Sequence, residues 1–282
     1  MMRSLYSGVA GLRTHQTKMD VVGNNIANVN TYGYKSQRAT FRDMYYQTIR
    51  SSSDGVNATQ LGYGSQVGSI DVLHSQAGYA PTDRAMDVYI DGEGFITVAD
   101  PNGGEMYTRI GALSFMPEGT TGEFNLVDMN GNAVMGLNAT NGTVTGIDAD
   151  GVITNPEAIV IDNFADYTNI SIGANGIITG IDSAGTVEQL GAIAVAKISN
   201  AEGLTMQGSS YFKAINNTGT VSYAQAGKDG VGGLIPGALE MSNVDLAKEF
   251  TDMITTQRGY QANSRIISVV DEMLQELVNL KR

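Results

Sequence analysis

The chain has 282 residues, including 35 glycines but no cysteine and no tryptophan, and its 17 Lys and Arg stand against 29 Asp and Glu. The lack of cysteine excludes a disulfide framework, thiolate metal sites and cysteine nucleophiles. A net charge of −12 argues against nucleic acid as a partner. No stretch approaches the ~20 apolar residues of a membrane span, so membrane insertion is not expected.

The first element is predicted as a helix. Leu5, Val9, Leu12, Met19 and Ile26 recur at heptad spacing, with Gln16 and Gly23 filling the gaps. Ser4, Gly8 and Gly11 add a small-residue face. Gly8, Gly11 and Gly23 each cost about 1 kcal/mol of helix propensity, so this helix needs packing to form. Asn24, Asn25, Asn28 and Thr31 then supply side chains that compete with the backbone and end a helix, and Gly33 permits a turn. Residues 1–33 form the first segment on this reading.

Residues 34–69 read as an extended connector, basic and aromatic at first (Lys35, Arg38, Phe41, Arg42, Tyr45, Tyr46) and polar from Arg50 to Gln60. Charge is uneven along the chain. Residues 1–50 hold seven Lys or Arg against two acids, residues 51–239 five against twenty, and residues 240–282 five against seven. The basic residues are scattered along an apolar seam rather than clustered, as suits a solvated or inter-subunit face.

Residues 70–233 carry the signals of a mainly-β domain, with a possible small lobe at 120–190. Met86, Val88 and Ile90 alternate, as do Ile170 and Ile172, and turn pairs recur at Asp91-Gly92, Asn130-Gly131, Asn141-Gly142, Asp150-Gly151 and Asn175-Gly176. Short strands at such spacing suggest a sandwich or barrel-like domain. Residues 141–148 and 175–182 echo each other, and shared hairpin chemistry explains this better than a duplicated unit.

Residues 234–282 close the chain with a long helical pattern from Ser242 to Leu280. Leu246, Phe250, Met253, Tyr260, Ile267 and Leu274 keep a four-then-three spacing, interrupted by Gln257, Ser264 and Asp271. Ile266, Val270, Met273, Leu277 and Leu280 form a second seam beside it. At 1.5 Å per residue the helix would be roughly 55 Å long. A helix of that length with two apolar faces belongs to a bundle or an assembly. Ser242, with Asp245 three residues on, fits a capping pattern. The fold class expected is therefore mixed: a discontinuous α-helical coiled-coil domain from the N- and C-terminal segments, plus a mainly-β central domain.

No catalytic, cofactor or metal site emerges. His15 and His74 are isolated, with no nucleophile motif near either. Asp128, Asn130 and Asn132 resemble the start of a calcium loop, but Ala133 and Ala139 stand where it needs glycine and glutamate, so a hairpin is expected. Asp91-Gly92-Glu93-Gly94 precedes a strand rather than a helix and reads as a turn, not a phosphate loop. Five Asn-x-Ser/Thr sites, at Asn57, Asn138, Asn141, Asn169 and Asn216, are taken as incidental.

The two ends also resemble the flagellar rod and hook proteins, the axial family of the bacterial flagellum. At the N-terminus the resemblance rests on residues 4–8, Gly11, Leu12, Gln16, Met19, Asp20, Asn24, Asn25, Ile26, Ala27, Asn28, Thr31 and Gly33-Tyr34-Lys35. At the C-terminus it rests on Glu240-Met241-Ser242-Asn243, Glu249-Phe250, Gln257-Arg258-Gly259-Tyr260, Asn263-Ser264 and Asp271 to Leu274. The ending from Leu274 to Arg282 and the run from Ala85 to Phe95 are similar to hook subunits of the short Gram-positive type.

The resemblance implies a non-enzymatic subunit, without cofactor, that polymerises with itself into a helical tube. It implies a flexible, torque-transmitting hook as the nearer reading and the stiff distal rod as the alternative. A surface enzyme or adhesin with axial ends is a more distant third. Implied partners are the rod and hook-filament junction proteins, the hook cap and the type III export apparatus. Residues 1–15 lack the continuous hydrophobic region of a secretory signal, and type III export explains how such a chain works outside the cell, in the hook or basal body.

Overall fold

The computed structural model describes residues 2–52, 54–100, 103–118, 122–140 and 142–280. The turn position and glycosylation acceptor expected at Asn141, and the last two residues of the ending from Leu274, lie outside the described residues. The chain divides into two compact units. One comprises residues 1–29, 36–73 and 244–282, the other residues 30–35 and 74–243.

The first unit is built on two helices, α1 (Met2–Ala27) and α2 (Leu246–Leu280). α1 ends where Asn28 folds back to donate from Nδ2 to the Asn24 carbonyl, at 2.9 Å. The asparagine side chain replaces a helical partner, as the sequence leads one to expect. α2 begins four residues later than expected. Its cap is Asp245 rather than Ser242: the Asp245 carboxylate accepts from the backbone N–H of Ala247 at 2.9 Å and of Lys248 at 3.3 Å. These are donors with no partner inside the helix, and a negative charge there also suits the helix dipole. At 35 residues, α2 is about 53 Å long.

From residue 36 onward the segment read as a connector belongs to this same unit and carries four strands, while residues 34 and 35 fall in the other. β1 (Gln37–Asp43) pairs antiparallel with β4 (Ser65–Val72), with a register shift between Thr40 and Phe41. β2 (Tyr46–Arg50) pairs with β3 (Thr59–Gly62), and every residue of that outer ladder is exposed. Cross-strand hydrogen bonds fix these residues where composition alone suggests an open chain.

The second unit is mainly β. Its largest sheet, twelve-stranded among the described residues, is organised on the strand Val187–Ile198, which pairs with Phe95–Asp100, Met135–Thr140, Ile177–Asp182 and Val221–Gln225. The core gathers Ile90, Ile96, Val98, Leu126, Ile193 and Val195, all buried. Each contributes about 1.5–3 kcal/mol.

The turn chemistry is where the pattern put it: Gly92, Gly131, Gly142, Gly151 and Gly176 all take positive φ. The echo is hairpin chemistry, since Asp148 and Asp182 each open a turn that Gly151 and Gly185 close. The alternation at Val88 and Ile90 is not that of a half-exposed strand. Val88, Tyr89 and Ile90 are all buried, so this strand is covered on both faces.

Candidate assembly surface

Within the first unit α1 and α2 run antiparallel. Gly8 lies against Ile267, Gly11 against Asn263, His15 against Gly259, and Lys18 reaches Asp252 at 3.2 Å. The approach is close because the facing residues are small. A Cβ on Gly259 would stand 2.6 Å from the His15 ring, and one on Gly11 would stand 2.7 Å from the Asn263 amide. Helices packed this tightly gain from dispersion contacts what their glycines lose in propensity.

Several buried residues of this unit are polar. Asn25, Glu249 and Thr256 are buried on the helices and Asn263 is half-buried, while buried Thr14 turns to Ser65 of β4, at 3.3 Å between hydroxyls. Asn25 makes two hydrogen bonds to one residue of β1, donating from Nδ2 to the Gln37 carbonyl and accepting from the Gln37 N–H, each at 2.9 Å. Its amide extends the strand ladder as a peptide unit would, tying the end of α1 to the β1/β4 layer. Burial raises the pKa of Glu249, with Asn25 pulling it back down. Burial and then Lys18 lower that of His15, whose ring meets Phe41 edge-on.

The expected seam residues divide between this interface and the surface. Leu5, Val9, Leu12, Met19 and Ile26 on α1 are half-buried, as are Met253, Ile267 and Leu274 on α2. Leu246, Phe250, Tyr260 and Leu277 are exposed, at 39%, 51%, 39% and 49%. Of the family-signature positions, Asn25 and Asn263 enter the helix pairing, while Asn24 and Asn28 bond each other at the end of α1. Ala27, Gln257 and Arg258 face outward.

One imbalance defines this unit. Among the described residues it buries three hydrophobic side chains, Val21, Val22 and Val270, yet it holds 18 of the chain's 25 exposed large hydrophobics. Soluble monomers expose single apolar side chains routinely, but such a concentration on one unit is uncommon.

In the second unit, the remaining signature residues form a buried polar knot that sequence reading did not anticipate. Lys35 Nζ lies 2.7 Å from Glu240 Oε1 and donates to the Ser75 carbonyl at 2.8 Å. Arg109 reaches the other Glu240 oxygen at 3.5 Å and stacks over Phe95. Gly33 donates its N–H to the Glu240 carbonyl at 2.9 Å, and Asn243 donates to Ser75 Oγ, also at 2.9 Å. Thr31 and Ser242 flank the knot in sequence and are half-buried. Lys35 and Glu240 were legible as signature residues, but nothing in their spacing marked them as a pair.

Among the described residues of this unit, the titratable groups singled out in the sequence are engaged in packing and turns. His74 is sandwiched edge-on between Phe95 and Phe212. Burial, then Lys35 and Arg109, lower its pKa to about 4. Asp128 accepts from the N–H groups of Asn130 and Asn132 and from the Tyr211 hydroxyl, so its oxygens hold a turn closed. Asn138 is likewise engaged, bonding the backbone of Ala158 and Val160. A polar hollow of about 400 Å³ lies beside Asp162, Tyr167 and Glu188, but Glu188 is held by the Tyr167 hydroxyl and no nucleophile-base pair faces it. No helix of the described residues is long and apolar enough to cross a membrane.

The β unit carries its own buried core, whereas the helical unit leaves most of its large apolar side chains uncovered. Three family models match the chain: "Flagella basal body rod protein" over residues 5–35, "Flagellar hook protein FlgE/F/G D1 domain" over 89–180, and "Flagellar basal body rod FlgEFG protein C-terminal" over 235–280. The chain is 43% identical over 299 aligned residues to the flagellar basal-body rod protein FlgG of Bacillus subtilis, with all of both chains covered. It is 32% identical to FlgG of Caulobacter vibrioides, covering 99% of this chain and 100% of that one. The flagellar hook protein FlgE of Borreliella burgdorferi is 49% identical over 119 residues, which is 40% of this chain and 27% of that hook protein. The chain belongs to the flagellar rod and hook axial family and is a structural component of the flagellum. The hook likeness stops at a fraction of the hook protein while the rod likeness runs from end to end, which favours the rod alternative over the hook reading.

Proposed function

We propose that this chain is the distal rod subunit of the flagellar basal body, a self-polymerising element of a stiff, torque-transmitting shaft. The observation that carries this reading is the end-to-end likeness to basal-body rod proteins. On this reading the terminal segments, 1–33 and 234–282, pair as a coiled coil and pack against their counterparts in neighbouring subunits, and the β domain supplies the outer wall. The exposed seam residues Leu246, Phe250, Tyr260 and Leu277 are covered only in the polymer. The subunit leaves the cell through the type III apparatus and meets other rod proteins below it and the hook above it.

The two two-stranded ladders of residues 37–72 support stiffness, since paired strands resist bending where an open connector would not. Electron microscopy of basal bodies from cells lacking the chain tests the assignment. Truncated rods without hooks are expected, and complete rods that merely lack hooks would return the assignment to the hook.

A further inference from the structure

Antiparallel pairing with Gly8 against Ile267 sets the start of α1 level with about Met273, so the last turns of α2 run past the end of their partner helix. An apolar stripe of Val269, Met273, Leu277 and Leu280, flanked by Glu272 and Glu276, begins about one turn before that overhang and continues along it. All four apolar residues are exposed, Leu280 at 81%. Elsewhere in the same unit, a groove of about 630 Å³ runs along a different strip of α1, lined by Tyr6, Val9, Ala10 and Arg13 and closed by Met44, Tyr45 and Tyr63. Its walls are apolar and aromatic, and its one charged lining residue is the cation Arg13.

We propose that the overhanging end of α2 docks into this groove on a second copy of the chain, with Glu272 and Glu276 facing Arg13. Charge argues for this occupant. The stripe is flanked by acids with no base among its lining residues, while the groove holds a base and no acid, within an N-terminal region of seven Lys or Arg against two acids. Shape argues for it too. A helical stripe with anchors three or four residues apart is the ligand that an apolar groove beside a helix accepts. Because stripe and groove are different surfaces of one chain, the contact is heterologous and hands each copy on to the next instead of closing a dimer. This deepens the axial-subunit reading by naming which surface meets which.

The natural absence of cysteine makes the test direct. In cells making the Tyr45→Cys/Leu277→Cys chain, mild oxidation of isolated basal bodies should give a ladder of multimers, and neither single variant should. As a second arm, Arg13→Glu should abolish assembly, and Glu272→Arg with Glu276→Arg in the same chain should restore it. Rods that form normally without a cross-link overturn the docking while leaving the rod assignment intact. Disulfides of Leu277→Cys with itself, a cross-link from Tyr45→Cys to a different axial protein, or failure of the charge swap to rescue also overturn it. A ladder in structures that prove to be hooks would keep the docking and remove the rod assignment.

Discussion

Lys35 Nζ and Glu240 Oε1 stand 2.7 Å apart with both side chains fully buried, although 205 residues separate them in the sequence. Lys35 is the last residue of its unit before the chain passes to β1, and Glu240 lies shortly before it passes to α2. Ser75, which accepts from Lys35, lies just after the chain returns from β4, and Asn243, the last residue before α2's unit resumes, donates to Ser75. The points where the chain leaves the β unit are thus pinned by one polar knot.

Breaking that knot on one side leaves a buried charge without its main partner. Lys35→Met or Glu240→Gln alone should destabilise the β unit by about 3–5 kcal/mol, and the double variant should lose less than the two together. Chemical denaturation followed by a β-sheet signal measures this, and strictly additive losses would show that the pair is not coupled.

His74 gives the β unit an acid sensitivity. Its pKa is about 4 in the fold against an ordinary 6.5, so between those values the unfolded chain binds the proton that the folded chain refuses. Stability should be unaffected above pH 6.5 and fall as pH drops from there toward 4, by about 3 kcal/mol at most. His74→Leu should flatten that part of the pH profile of the melting temperature, and an unchanged slope would assign the sensitivity elsewhere. Glu249 works in the opposite sense. Its pKa is raised, so it costs stability as pH rises above the usual carboxylate range. Glu249→Gln should stabilise the helical unit at neutral pH.

Two glycines in the helices should respond oppositely to alanine. A methyl group on Gly23 would meet no neighbour within 4 Å beyond its own helix, so Gly23→Ala should stabilise α1 by about 1 kcal/mol. Gly259→Ala drives a methyl into the His15 ring and should loosen the helix pair despite the better propensity. Heat dissociation of purified assemblies compares them, and equal effects would mean the close approach at Gly259 is not maintained.

Phe250 separates assembly from subunit stability. At 51% exposure it adds little to the single chain, so Phe250→Asp should shift unfolding by no more than about 0.5 kcal/mol. In the polymer the same change buries an unpaired charge, and cells carrying it should make the protein but remain non-motile. Normal swimming would remove this residue from the assembly surface.

Local chemistry determined much of this protein from sequence alone. Asparagine side chains end α1 because they bond backbone within a turn, glycines at five turn pairs take the positive φ that other residues resist, and the heptad apolar spacing announces two helices that seek partners. Tertiary structure decided whatever depends on residues distant in the chain. Residues 37–72 form ladders because a cross-strand partner, invisible in composition, fixes them. The helices meet through Gly8, Gly11, Gly259 and the Asn25–Glu249 contact rather than through all of the leucine seam, because small and polar residues allow the backbones to come close. Only the fold could show which seam residues remain uncovered in one chain, since periodicity places a side chain on a face but cannot say what covers it.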